Sequence, residues 1–340
     1  MNQVLKKCNA CGREYLTEKD FLQGTSRWRV CERGNLWFNC NCHSTNMIVK
    51  GKFDWYSPDQ FMSSEAKSIF NQIPSLNQLP HIPTTIMELQ QLIQNEEATS
   101  KQIATVTKKE PLIASRILQV ANNLMQSSTR PIESLEHAIS YIGTNVLKDI
   151  IITASISSFK FQTKHFQTDQ FWQECFLTGR IAEKIAKKFS PRLIPDEAYL
   201  AGTLCNIGKV VLAICLPAEA DKIYQAISNV NVLGTWEEAE KRHDAFQHTI
   251  LGEIAASFWG LPEYVLDTSV HHHNLSGHPT TEFPSYTDIA GFANQLSHWI
   301  LLRPNRIDAP FFKAIYQKFG LDVNSTDQLA EELLPLKTAS

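Results

Sequence analysis

The sequence predicts a mainly α-helical protein preceded by a small, cysteine-rich β-hairpin domain. Three observations predict it. From Pro83 onward apolar residues recur with a period near 3.6, as in Ile86, Leu89, Leu92 and Ile93. Five of the eight cysteines lie between Cys8 and Cys42. Charge divides at the same place. Residues 1–52 carry nine Lys/Arg against four Asp/Glu, or +5, while the 340-residue chain as a whole is −3.

Composition sets outer bounds. A chain of 340 residues, 43% hydrophobic, is long enough for two domains and a sizeable core. Its small net charge forces neither a nucleic-acid nor a membrane partner on the whole molecule. No run of about 18 apolar residues is present, so no transmembrane helix is expected. The first twenty residues are polar and hold two cysteines, which is unlike a secretory signal. A cytoplasmic location is the expectation.

The elements follow in order. Residues 1–53 form the expected head, in which Arg27 to Cys31 and Leu36 to Cys40 read as strands around the turn Arg33-Gly34-Asn35. Residues 54–75 read as a linker because of its Pro breaks. Residues 76–280 form the helical body, and 281–340 supply C-terminal helices that pack on it. Pro83 and Pro111 each suit the first turn of a helix. Ser134 caps a short helix that Gly143 ends. Asp169 caps a long helix through Phe189, and Asp196 caps another reaching Leu216. The β-branched runs Ile150-Ile151-Ile152 and Val210-Val211 fall inside longer helical patterns, so helix is expected there too.

The head carries the clearest metal signal. Cys8-Asn9-Ala10-Cys11-Gly12 is a knuckle whose spacing lets two thiolates meet one tetrahedral ion, and Cys40-Asn41-Cys42-His43 is a second ligand-rich knuckle beyond the hairpin. The expectation is a structural zinc held by Cys8, Cys11, Cys40 and Cys42, with Cys31 and His43 in reserve. Disulfides are disfavoured without a secretory signal. A head this small gains much of its folding free energy from the metal. Its positive charge and its aromatics Trp28, Trp37, Phe38, Trp55 and Tyr56 also suit nucleic-acid binding. Inward packing is the favoured use of those rings.

The body holds a series of ordered motifs. Leu79-Pro80-His81-Ile82-Pro83 comes first, then Glu110-Pro111 through Asn122, then Ile132 through Gly143. Gly202-Thr203-Leu204-Cys205-Asn206-Ile207-Gly208-Lys209 follows, with His248 to Gly252, Trp259-Gly260-Leu261-Pro262 and His271-His272-His273 after it. This order, over about Leu76 to His278, closely resembles the HDOD family, the HD-related output domains of bacterial signalling proteins. The resemblance implies an all-helical domain of degenerate HD type. It implies an output or scaffold role that binds other signalling proteins or a small ligand.

The departures decide the chemistry. HD hydrolases hold divalent metal with a separate His, an adjacent His-Asp pair and a later Asp, and the ions generate hydroxide for phosphoester hydrolysis. Cys205 and Asn206 occupy the pair's positions here. Asn206 lacks a carboxylate's charge, and Cys205 is a soft ligand where Mg²⁺ or Mn²⁺ wants oxygen. Glu174 stands in the stretch where metal-binding relatives place a His. Three successive helical histidines point about 100° apart, so His271, His272 and His273 cannot all reach one ion, although two of them can join His248. The degenerate HD site is thus Glu174, Cys205, Asn206, His248, His271 and His272, with helix capping as the plain use of the histidine run. The expected function is a non-enzymatic signalling module with no catalytic residue. The alternative is a divergent metal-dependent phosphohydrolase using Glu174, His248, His271 and His272.

Overall fold

The computed structural model describes residues 6–8, 11–16, 20–21, 25–30, 36–40, 45–48, 62–73, 75–76, 79–81, 83–93, 95, 97–124, 131–228, 235–274, 284–301 and 318–338. Among them are fourteen α-helices and two small antiparallel sheets. The mainly helical fold expected from the periodicity is the fold observed.

The chain divides into two compact units. One comprises Met1–Phe61, Pro80–Phe159 and Ser257–Gly260, and the other Met62–Leu79, Lys160–Ala256 and Leu261–Ser340.

In the first unit, β1 (Lys6–Lys7) pairs with β2 (Glu14–Tyr15). A three-stranded sheet follows in the order β3 (Thr25–Val30), β4 (Leu36–Cys40), β5 (Thr45–Ile48). The expected hairpin is β3–β4, with Arg29 opposite Trp37 and an irregularity between Ser26 and Arg29. The β1–β2 hairpin and the third strand were not legible, because two- and four-residue strands are too short to show alternation. Cys8, Cys11 and Gly12 lie on the turn between β1 and β2, where Gly12 has φ +74°. That left-handed conformation favours glycine. Tyr15, Phe21 and Phe38 are fully buried, with edge-on ring centroids 4.6 to 6.5 Å apart. Phe38 therefore packs inward. The side chains of Trp28 and Trp37, and the residues Trp55 and Tyr56, lie outside the described residues.

The helices of this unit are α2 (Thr84–Ile93), α3 (Ser100–Thr107), α4 (Pro111–Leu124) and α5 (Leu135–Ser157). Ser134 caps α5 as expected, its Oγ accepting from the His137 N–H at 3.4 Å. As expected, Gly143 interrupts the helix at φ 77° and ψ 170°, outside helical geometry, and a second helical stretch runs on to Ser157, burying Leu147, Ile150 and Ile151.

The second unit starts with α1 (Ser64–Gln72), which lies in the segment expected as a linker. Ala66 and Phe70 bury one face of it, and Ser63 caps it. The remaining helices are α6 (Thr168–Phe189), α7 (Pro195–Leu204), α8 (Ile207–Cys215), α9 (Pro217–Ser228), α10 (Trp236–Arg242), α11 (His248–Trp259), α12 (Glu263–His271), α13 (Tyr286–Ile300) and α14 (Val323–Leu333). The last turn of α11 belongs to the first unit by residue range. Gln167, not Asp169, is the N-cap of α6; Asp169 sits in its first turn, where a carboxylate meets the positive helix end.

The helix expected from Asp196 to Leu216 is two helices. Asn206, at φ −94° and ψ 18°, breaks it into α7 and α8. By length and composition Pro195–Cys215 could cross a membrane, yet 83% of its apolar window is buried inside the protein, as in a core helix. One core cluster joins Leu177, Ile181 and Ile185 of α6, Ala198 of α7, Phe292 and Leu296 of α13, and Leu329 and Leu333 of α14. A Cβ on Gly208 would overlap the backbone of α11 at His248 and Gly252, so only glycine lets α8 come this close. That contact fixes His248 against the α7–α8 break.

Candidate functional site

The α7–α8 break places Cys205 and Asn206 in the core, both almost fully buried. The Cys205 thiol donates to the Gly202 carbonyl at 3.2 Å. Burial pushes its pKa up to about 12, with Lys209 opposing the shift, so the neutral thiol persists at neutral pH. Burial also raises the Cys175 thiol well above its ordinary value, with Cys205 and Glu174 adding to the effect. Asn206 Nδ2 donates to Asn294 Oδ1 at 2.9 Å, and its own Oδ1 has no hydrogen-bond partner among the described residues. Glu174 on α6 meets His298 on α13, Oε1 to Nε2, at 2.7 Å. Both are buried.

Beside this pair lies a cluster of three histidines. His248 opens α11, and His272 and His273 follow the end of α12. One ring nitrogen from each lies within 4.8 Å of the others. Each ring is held by its Nδ1. His248 Nδ1 lies 2.9 and 3.1 Å from the two carboxylate oxygens of Glu240. Glu240 Oε1 also accepts from the His248 backbone N–H at 2.8 Å and from Trp236 Nε1 at 2.8 Å. His273 Nδ1 lies 3.2 Å from Glu237 Oε2, and His272 Nδ1 lies 3.0 Å from the Thr268 carbonyl. His248 and His272 are completely buried. Burial first, then the neighbouring rings, hold His272 and His273 well below the ordinary histidine range. Lys209, itself buried, places its ammonium 4.8 Å from the Trp236 ring centroid. A narrow cleft is lined by Phe166, Gln170, Glu174, Lys209, Tyr224 and Trp236; its cavity volume of about 20 Å³ has room for a water molecule and is far below that of a ligand pocket.

The N-terminal cysteines form the second cluster. Cys8, Cys11 and Cys40 bring their sulfurs within 4.8 Å of one another. Cys11 Sγ and Cys40 Sγ are 3.7 Å apart, close to the ~3.8 Å that two thiolates subtend around a tetrahedral zinc. The Tyr15 hydroxyl donates to Cys40 Sγ at 2.9 Å. Three converging soft donors thus fit a metal.

The HDOD domain profile matches residues 79–275. The chain belongs to the HDOD domain family. A protein of Treponema pallidum (strain Nichols) is 24% identical over 223 residues, which is 64% of this chain and 42% of that protein. The chain therefore spans less than half the length of that relative. Among solved structures it is similar to an HDOD domain protein of Geobacter sulfurreducens, with TM-score 0.59, 20% identity, 81% of this chain and 95% of that one covered. It is also similar to a candidate phosphohydrolase of Shewanella amazonensis SB2B, with TM-score 0.58, 20% identity, and 77% and 92% covered. A candidate signal transduction protein of Marinobacter aquaeolei VT8 gives TM-score 0.59 at 19% identity, with 79% and 59% covered. At these identities the structural likenesses establish the fold alone.

Within the HDOD domain, the sequence-predicted residues are only partly gathered. Cys205 and Asn206 stand at the α7–α8 break and Glu174 is tied to His298. His248 and His272 do meet. His271 does not join them: it is about half exposed and faces Asp267 at 4.0 Å. His273 takes its place, because the α12 end turns the 272 and 273 rings toward α11. Cys8, Cys11 and Cys40 are brought together, whereas Cys42, Cys31 and His43 lie outside the described residues. Sequence reasoning missed Glu237, Glu240, Asn294 and the buried role of His298. The Glu237/Glu240 spacing of three residues on one short helix, just before His248, was the available signal.

Proposed function

We propose that this HDOD chain is a non-enzymatic signal-transduction output module that binds another signalling protein or a small ligand. The observation that carries the reading is the internal use of Cys205 and Asn206. At the positions of the hydrolase His-Asp pair, one side chain is a protonated thiol bonded to Gly202 and the other is an uncharged amide whose Nδ2 donates to Asn294. Neither offers the anionic oxygen or imidazole that a hydroxide-generating ion needs. The test is incubation of the full chain with cyclic dinucleotides and nucleotides in Mn²⁺ or Mg²⁺. Unchanged substrates are expected. Turnover that disappears in His248→Ala overturns the reading and favours the second one, a divergent metal-dependent phosphohydrolase, to which the three histidines lend support.

The head is proposed to hold a structural zinc through Cys8, Cys11 and Cys40, with Cys42 as fourth ligand. Bound there, zinc supplies folding free energy to a domain with a three-ring core. The Cys8→Ser variant should lose this ion. We further propose a cytoplasmic location and no membrane partner. Nucleic-acid binding by the basic head is the lesser reading, and its affinity should fall steeply with salt.

A further inference from the structure

We propose that Cys11 and Cys40 are a peroxide-reactive thiol pair: Cys11 takes the oxidant, Cys40 closes a disulfide with it, and the metal of the head leaves. The geometry separates the two roles. Cys11 is exposed on the turn between β1 and β2, whereas Cys40, the last residue of β4, is 1% exposed. A dissolved oxidant therefore meets the Cys11 sulfur first. Cys40 Sγ lies 3.7 Å from it, although 29 positions separate the two in sequence. A disulfide needs ~2.0 Å between sulfurs, so the exposed turn has to bring them ~1.7 Å closer. Cys8, the other converging sulfur, is also 1% exposed and is shielded from the oxidant. An accessible cysteine beside a resolving thiol is the arrangement that oxidant-responsive cysteines share. Tyr15 is a positioning residue for the second step. Its ring is fully buried beside Phe21 and Phe38, and its hydroxyl donates to Cys40 Sγ at 2.9 Å. That bond fixes where the Cys40 sulfur points and supports its negative charge as it attacks.

The chemistry balances with hydrogen peroxide as the oxidant. The Cys11 thiolate attacks one peroxide oxygen, the O–O bond breaks, hydroxide leaves, and Cys11 becomes a sulfenic acid. The Cys40 thiolate then attacks the Cys11 sulfur. The S–S bond forms, the S–O bond breaks, and a second hydroxide leaves. Two electrons pass from the sulfurs to the peroxide oxygens, and two protons turn the hydroxides into water. A dithiol reverses the bond by exchange. Sulfur in a disulfide is no longer a thiolate, so two of the proposed zinc ligands are lost together. Release of metal rests on the zinc reading of the head; the disulfide itself does not.

The experiment uses the full chain, loaded with Zn²⁺, desalted, and treated with hydrogen peroxide at an excess that oxidises free cysteine. Remaining thiols are alkylated, the chain is digested without reductant, and fragmentation mass spectrometry locates the linked residues. A Cys11–Cys40 link should form, reverse with dithiothreitol, and run in step with the loss of one zinc equivalent to a chelating indicator. Cys40→Ser should leave Cys11 as a sulfenic acid that dimedone traps, and Cys11→Ser should leave Cys40 reduced. Tyr15→Phe keeps the buried ring and every thiol, so it gives a readout even if the cysteine variants unfold the head. In it the Cys11 sulfenic acid should persist about 2- to 10-fold longer, the worth of one hydrogen bond. A chain that holds no zinc yet forms the Cys11–Cys40 link refutes the zinc reading and sustains this one. Cys11 left unoxidised, a link from Cys11 to Cys8 instead, or an unchanged sulfenic acid lifetime in Tyr15→Phe would overturn the proposal.

Discussion

Truncating Glu240 tests the polar framework around His248 most directly. The carboxylate is 1% exposed and accepts from Trp236 Nε1, the His248 backbone N–H and His248 Nδ1, at 2.8, 2.8 and 2.9 Å. The backbone donor belongs to the first turn of α11, where no helical carbonyl can serve it. Glu240→Ala strands all three donors in the core. Each buried, unpaired donor costs about 1–3 kcal/mol, so three of them cost at least about 3 kcal/mol. We therefore expect a loss of about 3–5 kcal/mol. That is a large share of the ~5–15 kcal/mol that holds a typical domain folded. With roughly 2–4 °C per kcal/mol for a unit of this size, Tm should fall by about 6–20 °C. Glu240→Gln keeps one acceptor oxygen and should cost less, about 1–2 kcal/mol. Urea unfolding followed by tryptophan fluorescence and circular dichroism measures both. A Glu240→Ala variant within about 1 kcal/mol of wild type would refute the idea that this carboxylate organises the cluster.

Two other outcomes are expected. Asp221 is under opposed influences: burial raises its pKa, but the backbone N–H groups of Lys164, Phe166 and His165, at 2.7 to 3.0 Å, together hold it below the usual 3.8. The unfolded chain thus takes up this proton at higher pH than the folded one, so the carboxylate's stabilisation is present above 3.8 and is lost as pH falls through the folded value. Melting curves from pH 6 to 3 should drop less steeply for Asp221→Asn, and parallel curves would count against the assignment. Cys205, with its thiol pushed up to about 12, should resist a thiol reagent in the native protein and react only on unfolding. Peptide mass mapping that found Cys205 modified under native conditions would contradict its burial.

How much was legible in the sequence can be argued from particular residues. The 3.6-residue period survives in any helix that buries one face, so α2, α4 and most of the later helices were readable. The α7–α8 break was not. Both halves are apolar, and the interruption comes from Asn206 turning to Asn294, 88 positions away. Likewise His298, which no motif in its own stretch of sequence singles out, is buried in a pair with Glu174, 124 positions distant. Ser64–Gln72 was hidden by the prolines on either side of it.

The sequence by itself determined the helical class, the CxxC knuckle at Cys8 and Cys11, and the ordered motifs of the HDOD family. These are properties of residue type and spacing along one stretch of chain. Helical geometry alone also required that at most two of His271, His272 and His273 turn toward one point. Only the tertiary structure decided which two. The choice depends on how the end of α12 packs against α11, and on Gly208 letting α8 reach the His248 backbone. The carboxylates beside these rings, Glu237 and Glu240, come from α10, a different helix. Hydrogen-bond direction is a property of groups meeting in space, so it appears only after the helices have packed.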